Sequence, residues 1–403
     1  MLRRDPHTPW HPSYWLAALG AGGLSTSFFM YLMWLVPHAG FPMPTWEHLE
    51  PVLNGTVTVP AGVRPVAIIA MLLMVALALL HFILVLWNIR EQKTARATSA
   101  YTQLSCSPAQ VQLMARPLAL SMTVNVCFAL GAALVPGLWP VVEYLFPLAL
   151  AAFVLLGIWS LRIYGNYLSR MLVKGGYRSE EHNHLSALIA VFTFSMLSVG
   201  FAAPAAMSHV KAIAAIAGTL SIVFLVFAVV VGVLVLISGL QAMLTHGLQP
   251  QATPSIWMLV PILTLLGIEW VRMQHGLSHH FESSIEPASL FVVLTAIFTL
   301  QLGVMVLGYR VMQLNGYLKA NLTGNEYSPV SFGLICPGVA IFVFGMFWWH
   351  LAWVNTGLVT ANSFTYWFGI GALASVQLLT VAALIRLSNR LLRHKPVAIA
   401  SMQ

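Results

Sequence analysis

The chain has 403 residues, of which 59% are hydrophobic and only 7% charged, with a formal net charge of +8. A water-soluble domain carries roughly 25% charged residues, so this chain cannot cover itself with a hydrated surface and must use lipid as part of its solvent. The basic excess excludes nucleic acid as a natural partner, because it sits in short loops beside apolar runs, where membrane orientation places it.

The opening, Met1-Leu-Arg-Arg-Asp-Pro6, leads into a polar and aromatic stretch with no short apolar run and small-residue cleavage site. No cleavable signal peptide is expected; the first span serves as the insertion signal. Apolar runs of membrane-spanning length follow at Tyr14–Val36, Pro65–Trp87, Leu118–Val135, Val141–Leu161, Leu185–Ala203, Ile213–Ile237, Trp257–Val271, Ser289–Leu307, Phe332–Trp353 and Phe364–Ile385. The seventh is the shortest, because Pro254, Pro261 and the Glu269–Arg272 pair limit its apolar core. Ten helices with their connections occupy residues 1–403, so the expectation is a single integral membrane domain, all-α and polytopic.

Charge orients the spans. With the N-terminus inside, sixteen of the nineteen basic residues fall in cytoplasmic segments, and only Arg64, Lys211 and Arg272 fall on the other face. That asymmetry predicts a multi-pass protein of a bacterial-type cytoplasmic (inner) membrane, with both termini cytoplasmic. The outside links between spans three and four and between five and six are short, which makes each pair antiparallel neighbours. The simplest organisation is five helical hairpins in tandem. The link Pro37–Arg64 is longer, rich in Pro and Gly, and expected over the outer mouth. No short-period repeat is visible; the five-fold regularity is one of hydropathy.

The odd spans differ from the even ones. Span one carries Gly20-Ala-Gly-Gly-Leu-Ser-Thr-Ser27, and spans three, five, seven and nine carry Pro136, Pro204, Pro261 and Pro337. Proline frees a backbone carbonyl, which hydrocarbon tolerates where neighbouring helices or a water-filled cavity satisfy it. An inner ring of odd helices is therefore expected, with Gly22, Gly23, Ser25, Asn125, Ser195, Thr264 and Gly267 as pore-lining candidates. Ser121 and Ser198 belong to the same set of small donors.

No carboxylate is expected deep in a span: Glu143, Glu269 and Glu286 fall at predicted outer ends. A buried carboxylate is the common device for coupling cations, so its absence favours anions, which small polar groups and helix-end dipoles can stabilise. Arg272, three residues after Glu269 and close enough to pair with it, is the candidate for an outer vestibule. His275, His279 and His280 with Glu282 form a polar cluster expected in the loop after span seven, where Gly276 weakens a helix. His81 and His350 lie at different depths and make no haem pair. Cys106, Cys127 and Cys336 have no metal or disulfide spacing. No metal, cofactor or catalytic constellation is expected, and no enzymatic activity of the chain's own.

Certain segments are similar to a known family. Pro12-Ser-Tyr-Trp-Leu-Ala-Ala-Leu-Gly-Ala-Gly-Gly-Leu24, Pro254-Ser-Ile-Trp-Met-Leu-Val-Pro261 and the Tyr327-Ser328, Phe332, Pro337 pattern resemble the TehA-like tellurite-resistance/dicarboxylate transporter family, which is related to plant slow anion channels. The resemblance implies a homotrimer in which each protomer has a central pore lined by the odd helices and occluded by a phenylalanine of span nine. This chain departs from the family's pattern at Cys336, which stands where a phenylalanine precedes the proline, and at Ile262-Leu263-Thr264 after Pro261. Phe332, Cys336 and Pro337 are the gate candidates, with Phe342 and Phe344 as alternative plugs. The resulting expectation is a transporter or channel for small anions, an organic dicarboxylate or inorganic oxyanion. The alternative is a membrane anchor of a quinone-linked oxidoreductase, using Glu143-Tyr144 or His350 beside Trp348-Trp349.

Overall fold

A computed structural model describes residues 2–4, 8–175, 183–281 and 283–393, and outside the side chain of Lys174 these are fully placed. Among the described residues ten helices are long and apolar enough to cross a membrane. Among the described residues no β-strand forms beyond an isolated bridge between Arg3 and Arg393. The Arg3 N–H donates to the Leu392 carbonyl at 2.7 Å, so both ends of the described chain meet on one face. That face is here the terminal face, and its opposite the far face.

The inner helices are α1 (Tyr14–Leu35), α5 (Ala115–Leu134), α7 (Leu188–Met207), α9 (Leu259–Phe281) and α11 (Ile335–Trp348). Each packs on the next and α11 packs back on α1, which closes a ring. The outer helices α3 (Val63–Ala95), α6 (Val142–Lys174), α8 (Lys211–His246), α10 (Pro287–Leu314) and α12 (Phe364–Leu391) each contact the inner helix of their own hairpin. Within the most apolar window of each span, 50% to 94% of inner-helix residues are buried, against 22% to 39% for the outer ones. Leu72, Leu155, Leu234, Val306 and Leu379 stand exposed on outer helices, the surface a bilayer covers. Two short helices, α2 (Trp46–Asn54) and α4 (Ser99–Cys106), lie in the links on either side of α3.

Local sequence explains the boundaries. Val36 and Val135 each precede a proline and are extended, at φ −92°, ψ 125° and φ −104°, ψ 109°, which ends α1 and α5. Spans three, seven and nine begin alike, with tight 3₁₀ segments opened by Pro108, Pro250 and Pro329. Each then turns α-helical with proline as the third α residue: Pro117, Pro261 and Pro337. The first four N–H groups of an α-helix have no partner inside it, so proline is tolerated there. Pro261 and Pro337 thus mark 3₁₀-to-α junctions at the starts of their α-helices.

Several helices outrun their apolar cores. α8 runs 36 residues, about 54 Å at ~1.5 Å per residue, whereas the hydrocarbon core is only ~30 Å thick. α9 continues to Phe281, ten residues past the expected end at Val271, so His275, His279 and His280 are helical and not in a loop. Gly276 does not weaken that helix. Its missing side chain lets α9 press against α7, where a Cβ would stand 2.7 Å from the Ala205 carbonyl oxygen.

Candidate functional site

The five inner helices, joined by Phe146, Ala149 and Phe153 of the outer helix α6, line a cavity of about 720 Å³. Its deep end lies at Leu19 and Gly20 of α1 and Cys336 of α11; its other end reaches Met207, Ser278 and His279 at the far-face ends of α7 and α9. The link after α1 folds over this mouth, where Phe41, Pro42 and Met43 join the lining. The link is tied down locally. Glu47 accepts hydrogen bonds from the Thr45 hydroxyl at 2.6 Å and from the Gly137 N–H at 2.6 Å, in the turn between α5 and α6. The Thr45 hydroxyl and the Gly137 N–H hold the Glu47 carboxyl below the ordinary carboxylate range.

On the terminal side the ring is sealed. Tyr14, Trp15, Leu188, Phe332 and Ile335 are fully buried. Tyr14 packs against Phe332 and edge-on to Trp87, and its hydroxyl pairs with that of Tyr327 at 2.7 Å. The Trp15 indole donates to Gln92 at 3.0 Å, and the Arg116 guanidinium lies 5.6 Å over the Trp15 ring. Phe332 therefore belongs to this aromatic floor and does not line the cavity; nor does Pro337.

Span nine presents Cys336, Val339, Ala340, Val343 and Phe347 to the cavity, spacings that keep one helix face. Phe342 points elsewhere, against the Tyr31 ring at 5.3 Å, and Phe344 lies against Gly267 on α9. Neither alternative plug lines the cavity. Of the gate candidates, Cys336 alone is on the wall; Phe332 sits in the 3₁₀ segment that precedes α11, packed into the floor, and Pro337 is turned to the next side of the helix.

Among the pore-lining candidates, Gly23, Asn125 and Thr264 are on the wall, as is Arg272. The others are used in packing between helices. Gly22 faces outward, where a Cβ would come within 2.7 Å of both His81 Nδ1 and Met122. Ser25 donates to the Met74 carbonyl of α3 at 2.8 Å. Ser195 is fully buried, and Gly267 is occupied by the Phe344 ring. Ser198 turns to α8, where it donates to the Ser221 carbonyl at 2.9 Å, and Ser121 donates to the Pro117 carbonyl of its own helix. Small residues on an inner helix have two uses, and composition does not say which face holds which.

The electrostatics rest on Arg272. Half-buried on α9, its guanidinium donates to the Val199 carbonyl of α7 at 2.7 Å. Glu269 is not its partner, contrary to the spacing argument. It sits in mid-helix, buried, and accepts from the Ser221 hydroxyl of α8 at 3.0 Å. α9 continues to Phe281, so Glu269 is buried in mid-helix and not at a helix end. It faces away from the cavity, and among the described residues the wall carries no Asp or Glu. Asn125 donates to the Met196 sulfur at 3.4 Å. Met196 and Val199 are three residues apart, so Asn125 and Arg272 address α7 within about 4.5 Å of helix rise.

His81 and His350 are engaged by protein groups at both ring nitrogens. His81 Nδ1 lies 2.8 Å from the Ala18 carbonyl and Nε2 2.9 Å from the Thr123 hydroxyl. His350 Nδ1 lies 2.8 Å from the Met346 carbonyl and Nε2 3.0 Å from the Tyr366 hydroxyl. Glu143 accepts from the Ser208 hydroxyl and the His209 N–H, and Tyr144 is exposed on the outer surface. His279 packs against His209 and His280, while Glu282 lies outside the described residues. Among the described residues no group of three potential ligands is placed to hold a metal. Comparison with models of protein families finds no match, and comparison with curated proteins finds none either.

Proposed function

We propose that this chain is a membrane transporter or channel for small anions, with the cavity inside its inner ring as the pathway. One observation supports the reading above the rest: a guanidinium with no carboxylate partner among the described residues stands on the wall of a cavity lined by no Asp, Glu or Lys among those residues, with His275 and His279 toward its mouth. Arginine stays protonated and offers five N–H donors, of which one contact to Val199 uses only part. A fixed cation between low-dielectric walls raises the local concentration of anions. The aromatic floor makes this conformation closed toward the terminal face, so transit requires Tyr14 and Phe332 to part. Because one chain builds the whole cavity, a trimer would carry three parallel pathways, with a native mass three times 44.0 kDa.

Proteoliposomes test the reading. Anion efflux should exceed that of protein-free vesicles, and Arg272→Gln should lower it at least tenfold, while Arg272→Lys retains part of it because the charge remains. Equal efflux from Arg272→Gln and the unaltered chain, at equal insertion, would remove Arg272 from the pathway.

A further inference from the structure

The lining says more about the anion than its charge. Among the described residues Arg272 is the single Lys or Arg on the wall; His275, Ser278 and His279 line it on the mouth side of Arg272, and Thr26, Asn125 and Thr264 are polar side chains elsewhere on it. Thr264 is already engaged: it receives the Gln301 amide at 2.7 Å and donates toward the Ala340 carbonyl at 3.2 Å. The rest of the wall is overwhelmingly apolar, with six methionines and seven phenylalanines. Met30, Met33, Met122 and Met196 come from three helices, and Phe128 and Phe192 come from the neighbouring helices α5 and α7.

Such a wall suits neither of the two anion types first expected. A small inorganic oxyanion must exchange its water shell for protein donors, and a single guanidinium with an Asn125 amide already turned to Met196 is a poor replacement in a space of about 720 Å³. A dicarboxylate that set one carboxylate on Arg272 and reached inward, away from His275, Ser278 and His279 at the mouth, would leave the other against methionine and phenylalanine, where burying an unpaired charge costs heavily. The volume instead lies within the ~300–1,000 Å³ typical of sites for drug-sized organic ligands. Methionine side chains adapt to varied apolar shapes, and the guanidinium fork matches one carboxylate bidentately.

Resting on the anion reading above, we infer that the ligand of this cavity is an amphipathic organic monoanion: one carboxylate on an aliphatic or arylaliphatic body. The carboxylate pairs with Arg272, and the body displaces water from the methionine and phenylalanine surface. Charge recognition is local, and apolar burial supplies the remaining affinity.

The test uses the full chain in lipid nanodiscs, for binding, and in proteoliposomes, for flux. The probes are 4-phenylbutyrate, its neutral amide, succinate, nitrate, and straight-chain monocarboxylates from butyrate to octanoate. Protein-free discs and vesicles correct for partition into lipid. We expect 4-phenylbutyrate to bind at least tenfold more tightly than succinate and at least tenfold more tightly than its amide. Each added methylene should tighten Kd about three- to fourfold until the body fills the space. Arg272→Gln should bring acid and amide to the same Kd. Should that variant fail to insert, the acid–amide comparison on the unaltered chain still decides. Succinate or nitrate binding more tightly than 4-phenylbutyrate, or no gain with chain length, would overturn this inference and leave anion transport standing. Tight, acid-selective binding with no flux of any anion would uphold the inference and overturn transport. Equal binding of acid and amide overturns the inference outright.

Discussion

Gly22 shows how little room the helix contacts leave at the scale of one residue. The His81 ring is fixed by the Ala18 carbonyl and the Thr123 hydroxyl, so it cannot retreat from an added methyl without losing a bond. Gly22→Ala should therefore cost roughly 1–3 kcal/mol, the usual penalty of overpacking, and lower the melting temperature in detergent. Gly23→Ala meets only Val339, at 3.2 Å on the cavity side, and should cost less. Equal shifts for the two variants would contradict the assignment of faces. Glycine at both positions was legible from the start, but adjacent residues on a helix point about 100° apart. Which of them met the cavity was decided by how α3 and α11 dock on α1. Arg272 and Glu269 carry the same lesson. Their spacing permits a pair, yet Ser221 on α8 and Val199 on α7 offered nearer partners, and only packing brings those to the two side chains.

For the elements, the inner helices should show a water-accessible face and a packed face. In a chain whose three native cysteines are replaced, Asn125→Cys and Thr264→Cys should react with a charged thiol reagent added from the far face, whereas Ser25→Cys should not. Labelling of Ser25→Cys at a matching rate would mean that α1 is rotated from the arrangement described. The link over the mouth is pH-sensitive through Glu47. Its folded carboxyl titrates below its ordinary value of 4.5 because the ionised form accepts from Thr45 and Gly137. The stabilisation is then fully present above pH 4.5 and lost as pH falls through the folded value. Hydrogen-exchange protection of residues 38–57, corrected for intrinsic rate, should drop in that acid window, and Glu47→Gln should show reduced protection at every pH. A pH-independent profile in the unaltered chain would assign the tie no role in holding the link. The 3₁₀ openings at Pro108, Pro250 and Pro329 had a signal in sequence, a Ser-Pro or Gln-Pro step ahead of each apolar run. Hydropathy registers where a span is apolar, not where its backbone tightens.

Across the whole molecule, the described ends of the chain lie together on the face that also gathers Arg4, Arg170, Arg386 and Arg390. Arg386 donates to the Leu322 and Thr323 carbonyls and Arg390 to those of Asn321 and Gly324, so the basic residues there also hold the turn between α10 and α11 in place. Basic residues concentrate on the cytoplasmic side of membrane proteins. A reporter fused after Gln403, which lies outside the described residues, should accordingly be active as a cytoplasmic fusion and silent as an exported one; the reverse would invert the orientation. Sequence alone determined the all-α class, the ten spans and their pairing, because apolar length and loop length are local properties that a bilayer reads segment by segment. The odd–even division was legible through proline and the small residues of α1. What only the tertiary structure decided is which side of each inner helix faces the cavity, where Arg272 finds its contact, and that methionine and phenylalanine surround it. Those features arise from side chains hundreds of residues apart brought to one wall, and no local pattern carries their mutual position.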